Sequence, residues 1–249
     1  MKNKIGWCSM TWNPVRGCFN NCSYCYARII AKRFWIKMYN IELKHYYKKH
    51  PTWVWTGDHL SGLKDFKPTF LEAQFDKEFP KNPQKIFIGS MSEIYYWDKV
   101  WIQKVIDKTK QYPQHIFQFL TKFPEVYKGW VFPGNCWLGV TVTKKDDIKK
   151  YSLDDLNDSH LFKKTFISFE PLLEEIYPND YIGFRDIDLV IIGAESGTRK
   201  DRVTPKKEWI ESIIKFCQDN NIPIYLKNSL RNIYPEEIKE FPETELKLF

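Results

Sequence analysis

Short apolar runs closed by turn residues recur along this chain, and they limit its possible folds more than any other feature. Residues 85–88, 116–120, 137–142, 165–169, 189–192 and 222–226 are each rich in β-branched and aromatic side chains with little polar interruption. Runs of that kind suit strands covered on both faces, as in a parallel sheet. Helical patterns lie between them at 23–38, 100–111 and 205–220. Thr204 followed by Pro205 reads as a cap and first helical position for the last of these. Its Trp209, Ile213, Ile214 and Cys217 fall at helical spacing and form one apolar face. A first strand near 7–12 brings the strand count to about seven, and strands alternating with helices give an α/β fold. The expected architecture is a partial or nearly closed parallel βα barrel, with residues 1–249 as a single domain and a basic and aromatic insertion near 32–70.

In such barrels chemistry gathers where strands end and loops begin. Here those loop starts are polar. Residues 85–88 lead into Gly89-Ser90-Met91-Ser92-Glu93, and 116–120 into Thr121-Lys122. Thr141 and Thr143 close the third run, Glu170-Pro171 follows the fourth, Gly193-Ala194-Glu195-Ser196-Gly197 the fifth, and Lys227-Asn228 the last. Polar strand ends are common because they are solvated, but together these would outline one cavity at one barrel mouth.

The loop after the first strand holds Cys18-Phe19-Asn20-Asn21-Cys22-Ser23-Tyr24-Cys25, a C-x3-C-x2-C spacing. Three thiolates this close can hold three corners of a cubic iron–sulfur cluster and leave the fourth iron open. Zinc remains an alternative, with Cys8, His45 or His50 as a fourth ligand. However, structural zinc sites usually pair two separated two-ligand elements, and no second C-x2-C is present. A disulfide reading leaves one of the three cysteines unpaired. Cys8, Cys136 and Cys217 read as buried small hydrophobes.

The spacing, with an aromatic residue just before the third cysteine, resembles the radical S-adenosylmethionine (radical SAM) superfamily. The blocks Thr11-Trp12-Asn13-Pro14-Val15-Arg16-Gly17-Cys18, Cys25-Tyr26-Ala27-Arg28, Ser90-Met91-Ser92-Glu93 and Phe119-Leu120-Thr121-Lys122-Phe123-Pro124-Glu125 narrow the resemblance. So do Trp137-Leu138-Gly139-Val140-Thr141-Val142, Ser168-Phe169-Glu170-Pro171-Leu172-Leu173 and Gly193-Ala194-Glu195-Ser196-Gly197. In order, they resemble the phage Gp37/Gp68-type family of uncharacterised radical SAM proteins over nearly the whole chain. The resemblance implies a four-iron four-sulfur (4Fe–4S) cluster on Cys18, Cys22 and Cys25, with S-adenosyl-L-methionine chelated to the open iron. It implies reductive cleavage of that cofactor to a 5′-deoxyadenosyl radical, supported by a flavodoxin- or ferredoxin-like electron donor. Tyr24 would pack on the cofactor adenine, and Ser90, Ser92 and Glu93 would meet its amino group. Thr121 or Lys122, with Thr141, would meet the ribose hydroxyls or the carboxylate. Glu170 and Glu195 are left for substrate orientation or proton transfer. The competing expectation for each glutamate is an ion pair with a lysine.

A net charge of +7 permits a polyanionic partner without requiring one. No stretch approaches the roughly 18 consecutive apolar residues of a membrane span, and the first residues carry no apolar export core. A reducing cytoplasm is the expected location. Between Lys32 and His59, the cations Lys32, Arg33, Lys37, Lys44, Lys48 and Lys49 alternate with Phe34, Trp35, Tyr39, Tyr46, Tyr47, Trp53 and Trp55. Cations meet phosphates and aromatic faces stack on bases, so the stretch suits nucleic acid or a flipped base. An aromatic helix packed on the barrel, with solvated lysines, is the plainer alternative. The functional expectation is a radical SAM enzyme that modifies or repairs a nucleobase or nucleotide. A radical SAM enzyme acting on a peptide or small metabolite, and a non-catalytic metal or cluster module, are the alternatives.

Overall fold

The computed structural model describes residues 5–52, 60–150, 164–178, 187–197 and 199–243. Seven parallel strands form one sheet in the order β1-β4-β5-β6-β7-β8-β9. They are β1 (Met10–Trp12), β4 (Lys85–Ile88), β5 (Ile116–Thr121), β6 (Cys136–Thr141), β7 (Thr165–Phe169), β8 (Leu189–Ile192) and β9 (Ile224–Leu226). The sheet curls into a half-barrel. A small antiparallel pair, β2 (Val15–Arg16) with β3 (Thr69–Phe70), sits beside it. Helix α1 (Tyr26–Lys49) follows the cysteine loop; α2 (Gly62–Asp65) and α3 (Glu72–Phe75) are single turns. Helices α4 (Lys99–Lys110), α5 (Lys145–Lys150) and α6 (Lys207–Asp219) connect later strands. No described helix is long and apolar enough to cross a membrane.

The strands are apolar on both faces because each face has its own core. Outward-facing Ile86, Ile88, Phe117, Phe119, Leu138, Val140, Ile167 and Val190 pack under the helices, with Ile102, Val105 and Ile106 of α4 and Ile210, Ile213 and Ile214 of α6. Inward-facing Phe87, Ile116, Trp137, Phe166, Leu189, Ile191 and Tyr225 fill the barrel interior around Trp7. The indole of Trp7 lies 4.7 Å from Phe87 and 5.8 Å from Phe166 between ring centroids. Gly139 makes room for this layer: a Cβ there would stand 2.3 Å from Phe166 Cζ.

Several boundaries differ from the sequence expectation for local reasons. The first strand is only Met10–Trp12, because Trp7 turns into the barrel instead of extending it. Helix α1 starts at Tyr26 and runs on to Lys49, stopping just before Pro51, since the residue ahead of a proline disfavours helical geometry. Helix α6 is capped by extended Lys206, so Thr204 and Pro205 precede it instead of opening it. The last strand begins after Pro223, which has no N–H to give the ladder. That strand's free edge is covered by the chain end: Leu226 N–H donates to Ile238 at 2.9 Å and Glu240 N–H to Ile224 at 2.9 Å.

Candidate metal centre and cavity at the barrel mouth

The cysteine loop is tied to the β4 turn by backbone and side-chain bonds. Gly17 N–H donates to the Met91 carbonyl at 3.0 Å, and Gly17 pairs with Ser92 as a parallel bridge. Cys18 N–H donates to the Phe66 carbonyl at 2.9 Å. Only glycine fits at 17: its φ is +108°, and a Cβ would stand 2.1 Å from the Lys67 carbonyl oxygen. From the other side, Asn13 Oδ1 accepts from Ser90 Oγ and from Met91 N–H, both at 3.0 Å. Tyr26 donates its hydroxyl proton to the Ser90 carbonyl at 2.9 Å, and Tyr96 donates to Asn20 Oδ1 at 2.7 Å. The turn after β4 and the loop after β2 therefore form one assembly.

All three cysteines are free and half-buried. Cys25 is the cap of α1, its sulfur accepting from Arg28 N–H at 3.4 Å, while Cys18 Sγ accepts from Asn20 N–H at 3.3 Å. Both sulfurs thus have a donor that favours negative charge. Burial opposes this and pushes the Cys18 thiol up to about 12, so a bound cation is what would hold it as thiolate. Among the described residues, no three His, Cys, Asp or Glu side chains converge on a point where a single ion could sit. A lone zinc needs such a point, whereas a cubic cluster takes each thiolate at a separate corner. Three thiolates on one loop are the donor chemistry that such a cluster takes. Cys8, Cys136 and Cys217 are buried elsewhere.

The three cysteines line a cavity of about 260 Å³. Tyr24, Ser90, Ser92, Glu93, Lys122, Thr141, Glu170 and Glu195 line it too. Of the site residues expected from sequence, Thr121 alone is absent from the wall. It is fully buried, donates to Glu93 Oε1 and accepts from Phe123 N–H at 3.0 Å, so it serves the wall through Glu93. Glu93 also accepts from Lys122 N–H at 3.0 Å. Burial raises its carboxyl above the ordinary value. With both oxygens engaged, Glu93 braces the β5 end. Lys122 Nζ lies 5.6 Å over the Tyr24 ring.

The far wall is built by register. Ser168, Ile191 and Tyr225 are partners across β7, β8 and β9, so two residues on, Glu170, Gly193 and Lys227 stand side by side and face the same way. Glu170 and Lys227 form an ion pair across the glycine. A Cβ on Gly193 would lie 3.0 Å from Lys227 Cδ and 3.2 Å from Glu170 Cγ, so the glycine lets the two side chains close over it. Glu195 is buried and held by Arg199 through two bonds of 2.8 Å. Those bonds keep its carboxyl below the ordinary range despite burial. Both glutamates therefore carry the ion pair expected as the alternative, Glu195 with an arginine in place of a lysine.

Sequence reasoning missed Trp7 and Ser168 as cavity residues. Both line the wall, and the buried Trp7 Nε1 and Ser168 Oγ have no hydrogen-bond partner. Ser92 Oγ is in the same position. Buried polar groups are nearly always satisfied, so these three are positions that a water or a bound molecule in the cavity would meet. Trp53, Trp55 and His59 of the basic and aromatic stretch lie outside the described residues.

A family model described as a protein of unknown function (DUF5131) matches residues 2–235. This match replaces the assignment to the phage Gp37/Gp68-type family of radical SAM proteins, which it does not support. No curated protein and no solved structure matches the chain.

Proposed function

We propose, for a chain that belongs to the DUF5131 family of unknown function, a radical enzyme that binds a 4Fe–4S cluster and S-adenosyl-L-methionine. One observation carries this reading: three free cysteines on one short loop share one cavity with the polar ends of the parallel strands. When bound, the cluster supplies one electron that splits the cofactor's sulfonium into methionine and a 5′-deoxyadenosyl radical, which takes a hydrogen atom from the substrate.

The chain's own residues divide the remaining work. Cys18, Cys22 and Cys25 hold three irons. The Gly89–Glu93 turn, fixed by Asn13 and Tyr26, offers carbonyls and the free Ser92 hydroxyl to the cofactor's amino group. Tyr24 gives a ring face for its adenine, and Lys122 with Thr141 meets its carboxylate or ribose. Trp7, Ser168, Glu170 and Lys227 face the substrate from the far wall. We read the curled sheet as a barrel of the radical SAM type. An external one-electron donor of the flavodoxin or ferredoxin kind is required, and a reducing cytoplasm suits the thiolates. The substrate reading is a nucleobase or nucleotide.

The test is anaerobic reconstitution with iron and sulfide. Wild-type protein should show cluster absorption and about four irons per chain. Cys18→Ala, Cys22→Ala and Cys25→Ala should each lose it, while Cys8→Ala, Cys136→Ala and Cys217→Ala should keep it. One zinc per chain with no cluster absorption would remove the proposal.

A further inference from the structure

Helix α1 has apolar side chains on both faces, which core packing alone does not explain. Its inner face is ordinary: Ala27, Ala31, Met38 and Glu42 are buried against the body. Its outer face should then be polar. Instead Ile29 is 71% exposed and Ile36 57%, with Ile30, Phe34, Ile41 and Tyr47 also in solvent.

Charge is ordered on that face. Arg33, Lys37, Lys44 and Lys48 recur at offsets of four, seven and four, so they form one stripe along the helix. The stripe is about 22 Å long at 1.5 Å per residue. None of the four forms an ion pair with another described residue. The one acidic residue of α1, Glu42, is buried on the opposite side and accepts from Ala73 N–H at 3.0 Å. Lys49, grouped with these cations on sequence grounds, instead pairs with Asp76 at 2.5 Å and leaves the stripe.

This arrangement selects among occupants. A helix lying on a membrane seats an apolar centre in the bilayer with cations at its edges; here the cations hold the centre and the apolar residues the edges. A second copy of the chain would set one cation row against another. A single-stranded nucleic acid carries a charge on every unit, so it can meet the whole row, and its bases can lie against exposed Phe34, Tyr47 and Tyr26. The row also leads to the cavity, because α1 is capped by Cys25 and its first residue, Tyr26, lines the cavity.

We infer that the outer face of α1 is a binding track for single-stranded nucleic acid that delivers a base to the cavity mouth. Delivery to a radical rests on the proposed function; binding to the track does not. The two fail separately, because binding is measured without S-adenosylmethionine.

The experiment is fluorescence anisotropy with a labelled deoxythymidine oligomer of about twenty nucleotides, longer than the roughly 4–16 nucleotides of a typical single-strand site. With four phosphates neutralised, the slope of log K against log salt should be about −3. The variant R33S/K37S/K44S/K48S should bring that slope close to zero and abolish binding at moderate salt. The variant F34A/Y47A should keep the slope and weaken binding by about thirtyfold or more. All six side chains are exposed, so unchanged circular dichroism should accompany both variants. Absence of binding at low salt, or an unchanged slope in the fourfold variant, would overturn the inference. So would competition by poly-L-glutamate as strong as by the oligomer, which would assign the face to an acidic polypeptide.

Discussion

Glu195 shows how single residues in the cavity wall are set by their neighbours. Its carboxylate is buried, yet the two bonds from Arg199 hold its pKa below the ordinary 4.5. A depressed carboxyl contributes stability that is present above its unfolded value and is lost as pH falls through its folded value. Arg199→Gln should therefore lower stability at neutral pH and flatten its fall below pH 4.5, so that variant and wild type converge in acid. Urea midpoints of both proteins from neutral pH down through 4.5 would show this, and a difference that stays constant with pH would refute it. At Gly193 the constraint is steric. Gly193→Ala places a methyl 3.0 Å from Lys227 Cδ and 3.2 Å from Glu170 Cγ, so both side chains must give by a few tenths of an ångström. The Cys18–Cys25 spacing and the glutamates were legible at this scale because motif and polarity are local. Trp7 and Ser168 were not: one enters the wall only by packing on Phe87 and Phe166, the other only by strand register.

Among the elements, the strands at 85–88, 165–169 and 189–192 were read to the residue, because runs of four or five mostly β-branched and aromatic residues are too short for a buried helix. Helix α1 was read too short, since apolar residues all round its surface remove the periodicity that marks an end. Position 17 links elements most directly. Gly17→Ala would force both a disfavoured φ and a clash with the Lys67 carbonyl, so the cysteine loop should detach from the β4 turn. The expected outcome is a destabilised protein that retains less iron after reconstitution. Iron content and thermal stability matching wild type would count against the tie described here. At the other end, residues 237–243 cover the β9 edge through bonds such as Leu226 to Ile238. Ending the chain after Glu236 should expose that edge and raise self-association, measurable by light scattering, because an uncovered strand templates pairing.

For the whole molecule, two cores share one sheet, and the cavity sits where the inner core stops. Below, Trp7, Phe87, Trp137 and Phe166 fill the interior; above, the strand ends turn polar and the cysteine loop closes over them. The half-barrel was legible from the order of strands and helices. The packing of a tryptophan from before β1 into its interior depends on contacts far apart in sequence, which no local pattern carries. That division gives an apolar floor beneath a polar mouth, the setting that the proposed radical intermediate would need. The central claim is that this mouth cleaves S-adenosylmethionine, and the most direct measurement is product formation. Reconstituted protein, incubated anaerobically with dithionite and S-adenosylmethionine, should release 5′-deoxyadenosine and methionine in equal amounts, and Cys22→Ala should release neither. A protein that retains its cluster under dithionite yet yields no 5′-deoxyadenosine would contradict the account.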